Sequence, residues 1–276
     1  MRGLISAEFL KLRRQSKTYY ALAAVTIIEL LIFITAYYQG SAILDLLLSN
    51  LRQSFYFEGT LLNGNLIMYI VLNSLWFNVP LILMIVTSSL VTDEYKDNSV
   101  QTVMLQAVKK WQFMLAKYLA AIVFTLLVMA FMMVTTFILA YSLFGNGDLV
   151  VYLGTLNFFK APEAFQRICW AFGSGSIAMV FYSVVSVTLA VLMQESAKTW
   201  IVSALFLIIT NLLLKAEFLP AQVDAVFFPK LMDTWQQLFN YEVNWHQLGF
   251  NNLLLVMYTM AFAALGIWLF QKKDIG

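Results

Sequence analysis

The sequence predicts an all-α polytopic membrane protein with six transmembrane helices, both termini in the cytosol and almost no extramembrane domain. Three observations predict this. Of 276 residues, 61% are apolar and only 12% charged, where a soluble domain averages about 25% charged. The charges cluster between long uncharged runs. Lysine and arginine are also strongly biased to one side of the path those runs imply.

Residues 19–38 hold one charge, Glu29, and residues 67–92, 118–143, 168–193, 199–214 and 248–270 hold none. A helix needs about 20 apolar residues to cross the hydrocarbon core. The shortest run reaches that length if Lys198 and Lys215 snorkel at its ends. Backbone groups in lipid must be satisfied within their own segment, so each run reads as a helix. The runs are too long for barrel strands and lack alternating polarity. The whole of 1–276 therefore reads as one transmembrane domain. It has an interface helix over 1–18 and spans at about 19–39, 67–92, 113–143, 168–193, 198–214 and 248–270.

With that plan, one side collects Arg2, Lys11, Arg13, Arg14, Lys17, Lys96, Lys109, Lys110, Lys117, Lys198, Lys272 and Lys273. The other holds Arg52, Lys160, Arg167, Lys215 and Lys230 beside eight carboxylates. The lysine-rich side is expected to be cytosolic. The first span is long and interrupted by Glu29, and no small-x-small site follows it. It is therefore expected to be retained rather than cleaved as a signal peptide.

Residues 2–17 read as an amphipathic helix, with Leu4, Ile5, Phe9 and Leu12 on one face and basic residues around it. Glu29 is the one carboxylate inside a span. There a charge costs about 2.5–3.5 kcal/mol by insertion scales, so it should face the bundle or a wet path, or be protonated. Asn63-Gly64 is a turn signal. Pro80 should kink the second span. In the 93–117 connection, Val100, Val103, Met104 and Ala107 recur at helical spacing, predicting a short amphipathic helix along the surface. Gly145-Asn146-Gly147-Asp148 predicts a turn, and Gly173-Ser174-Gly175-Ser176 a close helix crossing. Within 215–247, Leu231, Trp235, Leu238 and Phe239 suggest an amphipathic helix lying on or dipping into the outer leaflet.

Several chemistries are excluded or disfavoured. Cys169 and His246 are the only cysteine and histidine, so no internal disulfide or usual zinc constellation is available. No phosphate-binding glycine loop is present, so any ATP and Mg²⁺ belong on another chain and this one carries no cofactor. Ser174 or Ser176 with His246 is a poor intramembrane protease pair, because His246 precedes its span and no G-x-S-G occurs. No basic run is interleaved with aromatics outside the membrane, and no nucleic acid is expected as a partner.

Three segments resemble the membrane subunit of type-2 ABC exporters. The first is Glu8-Phe9-x-Lys11-Leu12-Arg13-Arg14, similar to the interface helix that precedes span one in that family. The second is Glu94-Tyr95-Lys96-Asp97-Asn98-Ser99-Val100, continuing to Val108-Lys109-Lys110-Trp111 and Ala116-Lys117. It is similar to the family's coupling helix and to the lysine that opens span three. The third is Phe270-x-Lys272-Lys273-Asp274-Ile275. Many relatives have glycine where Asn98 stands, a change asparagine tolerates in turns, and a proline near 106–108 that is missing here.

The resemblance implies a permease paired with a second permease chain, identical or related, above two cytosolic ATPase subunits in a prokaryotic plasma membrane. It implies ATPase coupling through Glu94, Tyr95, Lys96, Asp97, Val103, Met104, Lys109 and Lys110. The implied cargo is amphipathic or hydrophobic, such as a peptide antibiotic or lipid-like compound, as in antimicrobial-peptide resistance. The alternatives are an ion-coupled secondary transporter or a non-transporting assembly or sensor subunit. The first usually shows paired repeats and several intramembrane charges, neither of which this sequence has.

Overall fold

The computed structural model describes residues 2–48, 62–106, 108–214 and 226–273. Arg52, Ala107, Lys215 and Asp274-Ile275, with the rest of 49–61 and 215–225, lie outside the described residues.

The chain is a helical membrane protein with six helices long and apolar enough to span a bilayer. An amphipathic helix, α1 (Arg2–Arg14), precedes the first of them, α2 (Ser16–Leu48). The second is α3 (Gly64–Lys96), followed by the short α4 (Ser99–Met104) and the third long helix, α5 (Lys110–Phe144). A β-hairpin, β1 (Leu149–Tyr152) and β2 (Leu156–Phe159), leads into α6 (Ala161–Met193). The chain continues through α7 (Ser196–Leu214), the single turn α8 (Phe228–Leu231), a 3-10 helix (Thr234–Phe239) and α9 (Trp245–Lys272). Each of the six uncharged runs lies inside one of these helices. The helices extend past the runs because Lys96, Lys117 and Arg167 are accommodated inside them.

The centre is α3 against α6. Within the protein α6 buries 67% and α3 50% of its apolar stretch, against 22% for α7 and α9, which are mainly lipid-facing. Hydroxyls hold the central helices together where lipid supplies no hydrophobic drive between them. Ser186 Oγ donates to the Met84 carbonyl at 2.5 Å, joining α6 to α3. Thr125 and Ser183 hydroxyls meet at 2.7 Å, joining α5 to α6. Tyr118 and Thr188 hydroxyls meet at 2.8 Å beside Gly266 of α9, and Thr188 reaches the Phe262 carbonyl at 3.1 Å. Of the 173–176 cluster, Gly175 and Ser174 serve crossings: a Cβ at Gly175 would lie 3.0 Å from the Trp76 ring, and the Ser174 hydroxyl donates to Asn252 Oδ1 of α9 at 3.0 Å, while Gly173 faces open space.

Both described chain ends lie at one end of the bundle, where Glu8 meets Lys117 and Lys110 donates to the Lys273 carbonyl at 2.6 Å. The opposite end is fastened differently. Asn63 caps α3 by accepting from Leu66 N at 3.1 Å, and its amide donates to the Asp148 carbonyl at 2.7 Å. The Asn63-Gly64 turn signal is thus a helix cap. Gly145 closes α5 at φ +67°, as the glycine-rich run predicts. The hairpin was not expected. Leu149 pairs with Phe159 and Tyr152 with Leu156 around Gly154 at φ +79°.

The outer amphipathic helix is corrected. Leu231, Trp235, Leu238 and Phe239 lie on a single turn and a 3-10 helix, buried in protein rather than laid on lipid. Arg167 holds this piece down. It donates to the Leu238 and Asn240 carbonyls at 2.6 Å and stacks on Phe159.

Replacing Gly266 with alanine would drive a Cβ into the Tyr118 hydroxyl. Gly266→Ala should destabilise the protein by about 1–3 kcal/mol, the usual cost of overpacking, read as a lower thermal midpoint in detergent. An unchanged midpoint would show that the three-helix junction is loose.

Candidate functional site

The charged end of the bundle contains a buried ion cluster built from three helices. Lys117, in the second turn of α5, has no exposed side-chain surface. Its ammonium donates to Glu8 Oε2 of α1 at 2.9 Å and to Glu94 Oε1 of α3 at 2.6 Å. It also lies 4.7 Å from the Phe113 ring centroid. Lys11 of α1 closes the group, donating to Glu94 Oε1 at 2.5 Å and to Glu8 Oε1 at 3.4 Å. Two ammonium groups thus face two carboxylates, and the cluster is neutral as a whole. A little further on, Lys17 spans both oxygens of Asp93 at 2.7 and 2.8 Å, tying the start of α2 to α3.

Local sequence explains the arrangement. Glu8 and Lys11 are three apart and share one face of α1, while Leu12 is buried beside them. Glu94 falls in the last turn of α3. Asn98 then takes a left-handed conformation at φ 53°, which breaks α3 from α4. The Ser99 hydroxyl donates back to the Glu94 carbonyl at 3.3 Å. Burial pulls the Lys11 ammonium pKa down, but the Glu94 bond and charge, then those of Glu8, hold it above its ordinary 10.5. A raised lysine pKa stabilises the fold fully below the ordinary value and loses that effect as pH climbs through the raised one. Across the neutral range this contribution is fully present.

The predicted coupling residues separate into two groups. Glu94, expected at a partner surface, is instead buried in the ion cluster. Tyr95 is half-buried, and Val103 and Met104 pack against the core. Lys110 is half-buried and caps the end of α9 through the Gln271 and Lys273 carbonyls. Only Lys96, Asp97 and Lys109 are exposed. The exposed tip also carries Thr102 and Leu105, the latter 88% exposed. On α1, Glu8 is buried, Phe9 half-buried, and Lys11, Arg13 and Arg14 exposed. Nearby, Lys273 donates to the Val191 carbonyl, and burial lowers its pKa.

Glu29 is fully buried between α2 and α5. Thr136 donates to its Oε1 at 2.7 Å, and the Thr135 hydroxyl lies 2.8 Å from Oε2. Thr135 is also within 3.0 Å of the Met132 carbonyl. Each carboxylate oxygen of Glu29 thus accepts from a threonine hydroxyl of α5. An apolar cleft of about 310 Å³ between α2 and α3 is lined by Ile28, Ile32, Ala36, Ile67 and Ile70, but not by Glu29. Pro80 does not end α3, which runs helical on both sides of it.

Among the described residues, no three His, Cys, Asp or Glu gather as a metal site. Sequence reasoning singled out Glu8, Lys11 and Glu94 but not their convergence. Lys117 was legible only as the opening of a span. Its signal was a lysine inside the otherwise apolar helix 113–144 with two acids near the same membrane side.

A six-span helical membrane protein with a buried ion cluster at one end is the class that this fold and site define. The chain belongs to the family described as protein of unknown function (DUF2705), whose model matches residues 40–276. No curated protein matches it.

Breaking a buried ion group strands charge. Lys117→Met leaves Glu8 and Glu94 with Lys11 alone and should cost about 3–5 kcal/mol, read by thermal unfolding of the purified protein. Adding Glu8→Gln restores one carboxylate to one ammonium and should recover much of that loss. A cost below about 1 kcal/mol, the range of a surface pair, would mean the cluster is solvated in the bilayer.

Proposed function

We propose that this chain is the membrane-spanning subunit of an ATP-driven exporter of the type-2 ABC class. Its charged end faces the cytosol, and a separate ATPase carries the ATP and Mg²⁺. The observation that supports this reading best is the architecture around α4. A short helix is carried between the inner ends of two spanning helices, α3 and α5, with its tip exposed. The ion cluster fixes both helix ends to α1. A push on α4 is then transmitted to α1, α3 and α5 together rather than absorbed in a loop.

In this reading Leu105, Thr102, Lys109, Lys96 and Asp97 make the contact. Glu94 acts as a positioning residue behind them. An apolar anchor within a charged rim is the usual composition of a binding centre. Two copies, or this chain and a related one, pair within a prokaryotic plasma membrane. The cargo is amphipathic or hydrophobic, which the apolar α2–α3 cleft favours over a small ion.

The test is gentle extraction of tagged protein from its native membrane, with mass spectrometry of what accompanies it. A stoichiometric ATPase is expected. Leu105→Asp, at a site with no packing to lose, should reduce its retention about tenfold, as loss of a central apolar anchor does. Absence of an ATPase, in a preparation that retains other membrane complexes, would put an assembly or sensor subunit ahead. Equal retention by Leu105→Asp would remove α4 as the contact.

A further inference from the structure

A polar cleft of about 480 Å³ opens between the second half of α1 and the α3–α4 junction. We propose that it binds the headgroup of phosphatidylethanolamine, a zwitterionic lipid whose ammonium donates hydrogen bonds and whose phosphate accepts them.

Three features lead there. The first is unmet acceptors. Glu94, 6% exposed, lines the cleft. Its Oε1 takes both lysines, but its Oε2 is buried with no partner. Gln15 Oε1, on the facing wall, is also buried without a partner. A buried carboxylate oxygen left without a donor is costly, so the site calls for a group with N–H bonds. Asp93 does not compete for it, because Lys17 occupies both its oxygens.

The second feature is charge of both signs within one cleft. Lys11 and Arg14 come from α1, and Glu94 and Asp97 from the end of α3. A purely anionic headgroup would match the first wall and oppose the second. Phosphoethanolamine matches both, with its phosphate toward Arg14 and its ammonium toward Glu94 Oε2 and Gln15 Oε1. Phosphocholine has the same charges, but its quaternary nitrogen carries no N–H. It would leave the two acceptors as they are.

The third feature is depth. The cleft lies where α1 gives way to α2, at Gln15–Ser16, which is where the chain turns from the membrane surface into the bilayer. Headgroups occupy that layer. Leu10, half-exposed on the cleft's rim, offers apolar contact to the glycerol and first acyl carbons.

The experiment is native mass spectrometry of the full chain with phosphatidylethanolamine, phosphatidylcholine and phosphatidylglycerol of identical acyl chains. Phosphatidylethanolamine should be retained in preference to both others. Gln15→Leu removes an acceptor and Arg14→Gln the phosphate partner, neither touching the Lys117 cluster. Gln15→Leu should cut the preference about tenfold, the scale of one hydrogen bond to a charged group, and Arg14→Gln, whose phosphate contact all three lipids share, should lower the retention of each of them about tenfold. Circular dichroism confirms that both variants remain folded. Equal retention of ethanolamine and choline lipids would overturn the proposal, leaving water as the donor. So would a preference for phosphatidylglycerol, a preference unchanged by Gln15→Leu, lipid retention unchanged by Arg14→Gln, or a co-purified protein that covers Arg14 and excludes lipid.

Discussion

The Lys117 ammonium, with no exposed surface, must be neutralised where it sits. A lone buried charge costs several kcal/mol after relaxation. No single carboxylate on α5 itself can serve, so countercharge comes from α1 and α3. That requirement fixes three things together. It places α1 across the charged end of the bundle, sets the height at which α3 ends, and draws the end of α3 and the start of α5 close enough for α4 to bridge them. Lys11 then balances the second carboxylate. The cluster adds little net stability compared with an apolar replacement of the same shape, because desolvation offsets most of the attraction. Its effect is on specificity: other registers of α1 against the bundle strand a charge.

The rest of the molecule uses neutral links. Central helices are joined by Thr125–Ser183, Tyr118–Thr188 and Ser186 to the Met84 carbonyl. The end far from the cluster is closed by asparagine caps, a glycine turn and Arg167 holding down the 3-10 piece. Charge is therefore concentrated at the end that carries α1 and α4. The apolar, lipid-facing wall consists mostly of α2, α7 and α9. This polarity is what the proposed coupling needs, since one end must be stiff and specific while the spans can shift against lipid.

Much of the fold was legible because lipid imposes a simple rule. Uncharged runs long enough to cross must be helices, and the six runs became six helices. What the runs could not show was pairing. Glu94 reads as a surface acid because its neighbours Lys96 and Asp97 are polar, yet one helical turn separates the buried face from the exposed one. Lys117 reads as an interfacial cation because it sits near the end of a run. The hairpin escapes notice because Leu149–Phe159 is short and directly follows a glycine turn, although Val150, Val151 and Tyr152 before Gly154 carry a strand signal. The 3-10 segment was misplaced onto lipid because apolar spacing alone does not say what covers the apolar face. The family match begins at residue 40, so Glu8 and Lys11 fall outside it while their partners Glu94 and Lys117 fall within.

The ion cluster makes α1, the charged ends of α3 and α5, and α4 one rigid body. The most direct measurement is the distance distribution between spin labels at exposed Ser6 on α1 and Thr102 on α4, in lipid bilayers. One narrow distribution is predicted, broadening when Lys117→Met is introduced. A broad distribution in the unaltered protein, or a narrow one that survives loss of Lys117, would contradict the account.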